Sequence, residues 1–306
     1  MRSEYELVRR MGAPDDQTNV SLYTHTPSQD LVVIKKIPTT IDKMDENKEM
    51  HINRVLQKHK HDAIVEMRDA FMEDQELCLV FEYCSGGDLL ASLQNAKSWA
   101  EDDVIPIFQQ VASAVAHLHS LEIAHCDISL ENVLVTSDHQ VKLCDFGLAL
   151  IDKCTRFSGV GKLYYMSPEM FMRRPYNAQA SDRWALGVLL FMLLTGRPIF
   201  EQATMKDPNF KLFFEAQAVD ASSGVKAVLA ASNTTLSDDA VDLLTQLLRP
   251  APKDRLSMDL VLSHAFLKTR PVLIRQRSVS TPVMCLSSSF PLAHLPLAYF
   301  KSITTM

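Results

Sequence analysis

No basic surplus, no long apolar run and no cysteine framework occur in this sequence, and each absence removes a class of function. Thirty-one Lys plus Arg against 37 Asp plus Glu leave a net charge of −6, so there is no whole-chain cationic surface to hold a nucleic-acid backbone. No stretch reaches the roughly 18 uncharged apolar residues that a membrane-spanning helix requires. The opening, MRSEYELVRRMGAPDD, lacks the apolar run of a secretory signal. Six cysteines, Cys78, Cys84, Cys126, Cys144, Cys154 and Cys285, lie far apart and mostly within apolar segments. That spacing suits reduced thiols and neither a disulfide framework nor a zinc site. The expectation is an intracellular protein, cytoplasmic or nuclear, with no nucleic-acid and no membrane partner.

What is present is the balance of a folded chain: 47% hydrophobic, 22% charged and 8% aromatic over 306 residues, enough to bury a large core and too apolar for overall disorder. Short alternating or β-branched runs occupy 5–11, 20–24, 31–37, 64–71 and 77–81, with one helical interval over 43–60. They predict a small antiparallel sheet with one helix. Ser85-Gly86-Gly87-Asp88 breaks that pattern, and the periodic segments after it are helical, over 104–121, 182–195 and 237–248. The last has Ser237 as N-cap, Asp238 and Asp239 in its first turn, and Arg249-Pro250 as its stop. An α+β, bilobal fold is therefore expected, with an N-terminal lobe of about 1–82, a hinge of about 82–87, and a mainly helical C-terminal lobe of about 88–268. Ligands belong in the cleft between two such lobes. Beyond 268 the periodicity decays, and 269–306 reads as a partly disordered tail.

Two segments carry chemistry-bearing residues. HCDISLENVLV, residues 125–135, is followed by Asp145-Phe146-Gly147. An apolar run before each acid places Asp127 and Asp145 at strand ends or tight turns, with Asn132 between them. Asp145 and Asn132 then offer hard oxygen ligands for Mg²⁺, and Asp127 stays available to accept a proton from a hydroxyl. Taken singly, each segment has a lesser alternative, an ordinary turn whose side chains satisfy local backbone groups. Upstream, LVVIKKI puts Lys35 inside an apolar strand, where an ammonium is costly without an anionic partner. Glu49, on the following helix, is placed to be that partner, while Lys36 alternates outward.

With these residues in hand, the sequence resembles the eukaryotic protein kinase family over residues 5–268. The matching segments, in the family's order, are VVIKK at 32–36, FEYCSGGDLL at 81–90, HLHSLEIAHCDISLENVLV at 117–135, DFG at 145–147, YYMSPE at 164–169, SDRWALGVLLFMLLTGRPIF at 181–200 and PKDRL at 252–256. KEMHINRVL and EYCSGGDLL are locally similar to checkpoint and CAMK-like kinases of the Ser/Thr type. The resemblance implies an ATP-dependent enzyme that phosphorylates Ser or Thr hydroxyls of protein substrates, with Mg²⁺ or, as an alternative metal, Mn²⁺. It implies that Lys35 holds the α- and β-phosphates, Glu49 pairs with it, Asp127 is the base, and Asn132 and Asp145 bind the metal. Around the nucleotide it implies Gly12, Val20, Val33 and Leu134 as walls and Phe81 as gatekeeper. Backbone groups of Glu82 and Cys84 meet adenine, and Asp88 lies near the ribose. His125 and Phe146 join the lobes, and Glu169 with Arg255, and Asp182, are structural supports.

The departures from the family's pattern carry expectations too. MGAPDDQTNV at 11–20 keeps only Gly12 of the three glycines, and Asp15 and Asp16 put negative charge near the phosphates, so weak nucleotide binding is expected. Val33 replaces the usual Ala and narrows the adenine roof. Cys126 replaces the arginine that clasps a phosphorylated activation loop, so phosphate on that loop lacks its acceptor. Ser129 stands where Ser/Thr kinases have a lysine, and Lys162 where they have a threonine, as if hydroxyl and ammonium had changed places. If Lys162 reaches back toward Asp127 it can meet Ser129. Together these departures leave a second reading open, a weakly active or inactive pseudokinase that serves as a nucleotide-binding or protein-interaction scaffold.

Overall fold

A computed structural model describes residues 4–11, 19–39, 44, 47–96, 99–151, 155–172 and 174–268. Gly12, Asp15, Asp16, Cys154, Cys285 and the stretch 269–306 lie outside the described residues. Five strands open the chain: β1 (Tyr5–Arg10), β2 (Val20–His25), β3 (Asp30–Pro38), β4 (Met67–Glu73) and β5 (Glu76–Glu82), with helix α1 (Lys48–Lys58) between β3 and β4. They form one antiparallel sheet in the order β1-β2-β3-β5-β4, as the alternating runs predict.

The central strand β3 sets Val33 between Leu22 and Phe81, and Lys35 between Val20 and Leu79. Because side chains alternate, Lys36 points the other way, to Glu73 at 3.2 Å and Glu76 at 3.4 Å. Helix α1 starts at Lys48 rather than near 43. Asn47 stops it from starting earlier by taking an extended backbone and accepting the Met50 N–H on its side chain. Its apolar face brings Met50 onto Met67, Leu77 and Leu79 of the sheet. Residues 64–66 do not extend β4 as expected. Instead Val65 N–H donates to Leu143 C=O and Leu143 N–H to Ala63 C=O, at 3.0 and 2.9 Å, which ties this segment to the helical part.

The rest is built on α2 (Leu89–Ala96), α3 (Glu101–Ser120), then short strands β6 (Ile123–Ala124), β7 (Val133–Val135), β8 (Val141–Leu143), β9 (Leu150–Ile151), β10 (Thr155–Arg156) and β11 (Tyr176–Asn177). Helices α4 (Ala178–Thr195), α5 (Pro208–Val219), α6 (Ser223–Ala231), α7 (Asp238–Leu247) and α8 (Met258–Leu262) follow. From Trp184 to Leu194 helix α4 is apolar on all sides, and Trp184, Leu186, Leu190 and Phe191 are fully buried, so it forms the core around which α3 and α7 pack. It begins four residues before the predicted start because Asn177 caps it through Ala180 N–H at 2.9 Å. Ser237 caps α7 as its sequence predicts, accepting Ala240 N–H at 3.2 Å. Among the described residues no helix is long and apolar enough to cross a membrane.

Candidate active site

The sheet contributes its lysine first. Lys35 Nζ lies 2.8 and 3.0 Å from the two Glu49 oxygens and 2.9 Å from Asp145 Oδ1, so one ammonium joins β3, α1 and the turn after β8. Burial alone lowers the tendency of Lys35 to carry a proton, but the charges of Glu49 and Asp145 outweigh it and raise its pKa. Burial dominates at Glu49, raising its pKa despite Lys35. At Asp145 burial also pushes upward, yet the charge and hydrogen bond of Lys35 win and hold the carboxyl below its usual range. Asp145 adopts a left-handed φ of 63°, a strained conformation for a residue with a Cβ, of order 1–3 kcal/mol. Gly147 N–H, 3.2 Å from Asp145 Oδ1, helps to hold that turn.

The second acidic residue is aimed by a buried carboxylate. Asp182, at the start of α4, accepts His125 N–H at 2.8 Å and Cys126 N–H at 2.9 Å, and His119 Nε2 lies 3.0 Å from it. These bonds hold Cys126 in a left-handed turn, φ 65°, and the turn presents Asp127. His125 Nδ1 accepts Asp127 N–H at 3.2 Å and its Nε2 faces Cys144 C=O at 3.0 Å. These partners assign the imidazole as the Nε2–H tautomer. Its ring lies 5.1 Å from that of Phe146. Asn132 Nδ2 donates to Asp127 C=O at 2.8 Å and to Asp127 Oδ2 at 2.7 Å. Asp127 Oδ1 is buried without a hydrogen-bond partner.

Asp145 Oδ2 and Asn132 Oδ1 make no hydrogen bond among the described residues, and Cys144 N–H to Asn132 C=O, 2.9 Å, ties their segments together. Two uncommitted hard oxygens suit a divalent cation that takes its remaining ligands from phosphate and water, as Mg²⁺ does. Among the described residues no group of three or more His, Cys, Asp and Glu gathers into a self-sufficient metal site.

Asp88 pairs with Leu134 across an isolated bridge, and its side chain caps α2 through Ala91 N–H at 2.7 Å. The Glu82 side chain is taken by Lys142 at 2.7 Å and by Glu66 N–H at 2.8 Å. That leaves backbone as what this segment can offer a ligand, and the Cys84 N–H has no partner among the described residues. Burial raises the Cys84 thiol to about 11, so it is neutral.

Sequence reasoning missed two residues. Tyr165 places its hydroxyl 3.1 Å from Leu130 N–H and 3.4 Å from Glu131 Oε2, bracing the loop that carries Asn132. Gly161, φ 84°, lies against Asp127, where a Cβ would stand 3.0 Å from Oδ1 and from Cys126 C=O. Tyr165 sits in the YYMSPE segment at 164–169 and Gly161 just before it. Glu169 and Arg255 meet as expected, at 2.6 Å.

Cys126 packs with Ala124 and Ala178, and Leu150 and Val160 lie against them. The segment around it is anchored by pairing of β10 with β11, by Tyr176 Oη donating to Ser158 C=O at 2.8 Å, and by Arg156 donating to Leu148 C=O.

Residues 5–267 match the family model described as protein kinase domain. The chain is 33% identical over 246 residues to serine/threonine-protein kinase Nek1 of Mus musculus, covering 78% of this chain and 19% of that protein. It is 31% identical over 287 residues to serine/threonine-protein kinase SAPK3 of Oryza sativa subsp. indica, covering 90% and 81%. With serine/threonine-protein kinase PLK4 of Xenopus laevis it shares 35% over 212 residues, 68% of this chain and 21% of the other. The chain thus spans about a fifth of two of these relatives and four-fifths of the third.

Proposed function

The chain belongs to the protein kinase family, and from that premise we propose that it transfers the γ-phosphoryl group of ATP to Ser or Thr hydroxyls of protein substrates. The observation that carries this reading is the pairing of a Lys35–Glu49–Asp145 ion cluster with an Asp127 that keeps one oxygen unpartnered.

In the proposed reaction the acceptor hydroxyl oxygen bonds to the γ-phosphorus, the bond to the β,γ-bridging oxygen breaks, and ADP leaves. Asp127 takes the hydroxyl proton, on an oxygen shielded from water. Lys35 fixes the α- and β-phosphates while Glu49 keeps its ammonium in place. Asn132 and Asp145 would hold the divalent metal, which when bound neutralises charge on the phosphates. Val20, Val33, Phe81 and Leu134 enclose the base, and the Glu82 and Cys84 backbone reads it, with Asp88 beside the ribose.

The test is γ-phosphate transfer by the purified chain to a generic basic protein, with Mg²⁺ or Mn²⁺ against a metal-free control. Metal-dependent phosphoserine or phosphothreonine supports the reading. A folded chain that binds ATP and transfers nothing overturns it in favour of a scaffold.

Activity is expected not to depend on phosphate in the activation segment. Apolar packing of Cys126 and the backbone anchors of Arg156 and Tyr176 hold that segment without it. Thr155 and Ser158 are exposed, and replacing both by Ala should change kcat by less than about threefold, as for surface substitutions. A loss of about 100-fold, close to 2.7 kcal/mol, would show that a cation such as Arg156 grips a phosphate there.

A further inference from the structure

We propose that Lys162 is a catalytic residue that places its ammonium against the transferring phosphoryl group from the activation segment, an inference that rests on the phosphotransfer reading. Ser129 and Lys162 are far apart in sequence, yet Lys162 Nζ lies 2.8 Å from Ser129 Oγ and 3.3 Å from Asp127 Oδ2. Ser129 is fully buried, so this ammonium gives its hydroxyl a partner. The contact to Asp127 falls on the oxygen already held by Asn132.

Three features point beyond a structural latch. An ammonium has three N–H donors, and these two contacts leave one for a ligand. The Lys162 side chain is 35% exposed, so its head is not sealed from an incoming group. Lys35, by contrast, is held by Glu49 and Asp145 oxygens on the nucleotide side. A cation beside the proposed base stands where the acceptor hydroxyl must meet the phosphoryl group, which is where negative charge develops.

The local backbone makes the reach of Lys162 repeatable. Gly161 comes close enough to Asp127 that a Cβ would crowd it. Tyr165 N–H then donates to Lys162 C=O at 3.0 Å. Lys162 is therefore fixed at its main chain beside the base, with only its side chain free to follow the phosphoryl group.

The experiment compares wild type, Lys162→Thr, Ser129→Lys and the double variant in the full chain, by kcat, by melting, and by calorimetric affinity for ADP and for a non-hydrolysable triphosphate analogue. Lys162→Thr should lower kcat by about 10²- to 10³-fold, the effect of removing one preorganised donor. It should weaken the triphosphate analogue by about tenfold to 100-fold, as one charge-assisted bond does, and leave ADP within about twofold. Ser129→Lys should also be impaired, because two ammonium groups then share one place. The double variant should regain at least about tenfold over Lys162→Thr, a coupling that independent sites do not show. If Lys162→Thr unfolds, Lys162→Met, which keeps the apolar stem, takes its place.

Near-normal kcat in Lys162→Thr, losses that multiply in the double variant, or a fall in ADP affinity equal to that for the triphosphate each overturn the inference. A wild type that transfers no phosphate removes the phosphotransfer reading itself. A transferring wild type whose Lys162 variants behave like it removes only the role of Lys162.

Discussion

Replacing Asp127 by Asn should lower kcat by about 10²- to 10⁴-fold, the contribution of a positioned general base, while ATP affinity and melting temperature stay close to wild type. The substitution is isosteric, and the amide oxygen can keep the bonds from Asn132 Nδ2 at 2.7 Å and Lys162 Nζ at 3.3 Å. Asp127 N–H to His125 Nδ1 is a main-chain bond and is unaffected. What disappears is the unpartnered carboxylate oxygen, Oδ1, because an amide cannot take the hydroxyl proton. Single-turnover transfer with calorimetry separates the outcomes. Activity within about tenfold of wild type, about 1.4 kcal/mol, would show that the proton goes elsewhere. A parallel loss of ATP affinity would make Asp127 a structural residue.

The residues on which this rests differ in how legible they are in the chain. Lys35 betrays itself because an ammonium inside VVIKKI demands an anion, and Glu49 lies on the next helix at the right phase. Asp127, Asn132 and Asp145 stand within one short stretch whose apolar runs predict the turns that gather them. Lys162 and Ser129 are legible only as a pair of departures from one family pattern, and their contact is tertiary. Gly161 and Tyr165 are not legible as site residues, since a close approach and a phenol reaching a distant N–H leave no periodic trace. Fold elements divide in the same way. Strongly amphipathic α7 and the buried α4 are evident, whereas α2 and α8, of eight and five residues, are too short for their period to stand out. The starts of α1 and α4 are set by Asn47 and Asn177, each caught by an N–H three residues on. Periodicity does not see such a bond.

Replacing Glu169 by Ala should destabilise the chain by about 3–5 kcal/mol, the cost of breaking a buried ion pair from one side. Arg255 has no exposed side-chain surface, and its donors are fully used. Nη1 and Nη2 each lie 2.6 Å from a Glu169 oxygen, Nη1 also reaches Ala180 C=O at 2.8 Å, Nη2 Pro250 C=O at 3.2 Å, and Nε Arg249 C=O at 2.8 Å. Its guanidinium also stands 5.0 Å over the Trp184 ring. Alanine leaves two of those donors and one charge buried without partners. It also strips Ser181 Oγ of its 3.0 Å acceptor. A fall in Tm of roughly 10 °C is expected for a domain of this size. Arg255→Lys should not escape the loss, because a single ammonium cannot reproduce the fork. The pH dependence identifies the cause. Burial pushes the Glu169 carboxyl upward, but the hydrogen bonds and charge of Arg255 outweigh it and hold its pKa below the ordinary 4.5. A carboxyl lowered in the folded state contributes stability above its unfolded pKa and loses it as pH falls through the folded one. Wild type should therefore exceed Glu169→Gln by a constant margin near neutrality, and the margin should shrink below about pH 4.5. Urea titrations from pH 3 to 7 measure it. A margin that stays flat into acid would assign the loss to packing against Trp184 and not to the ion pair.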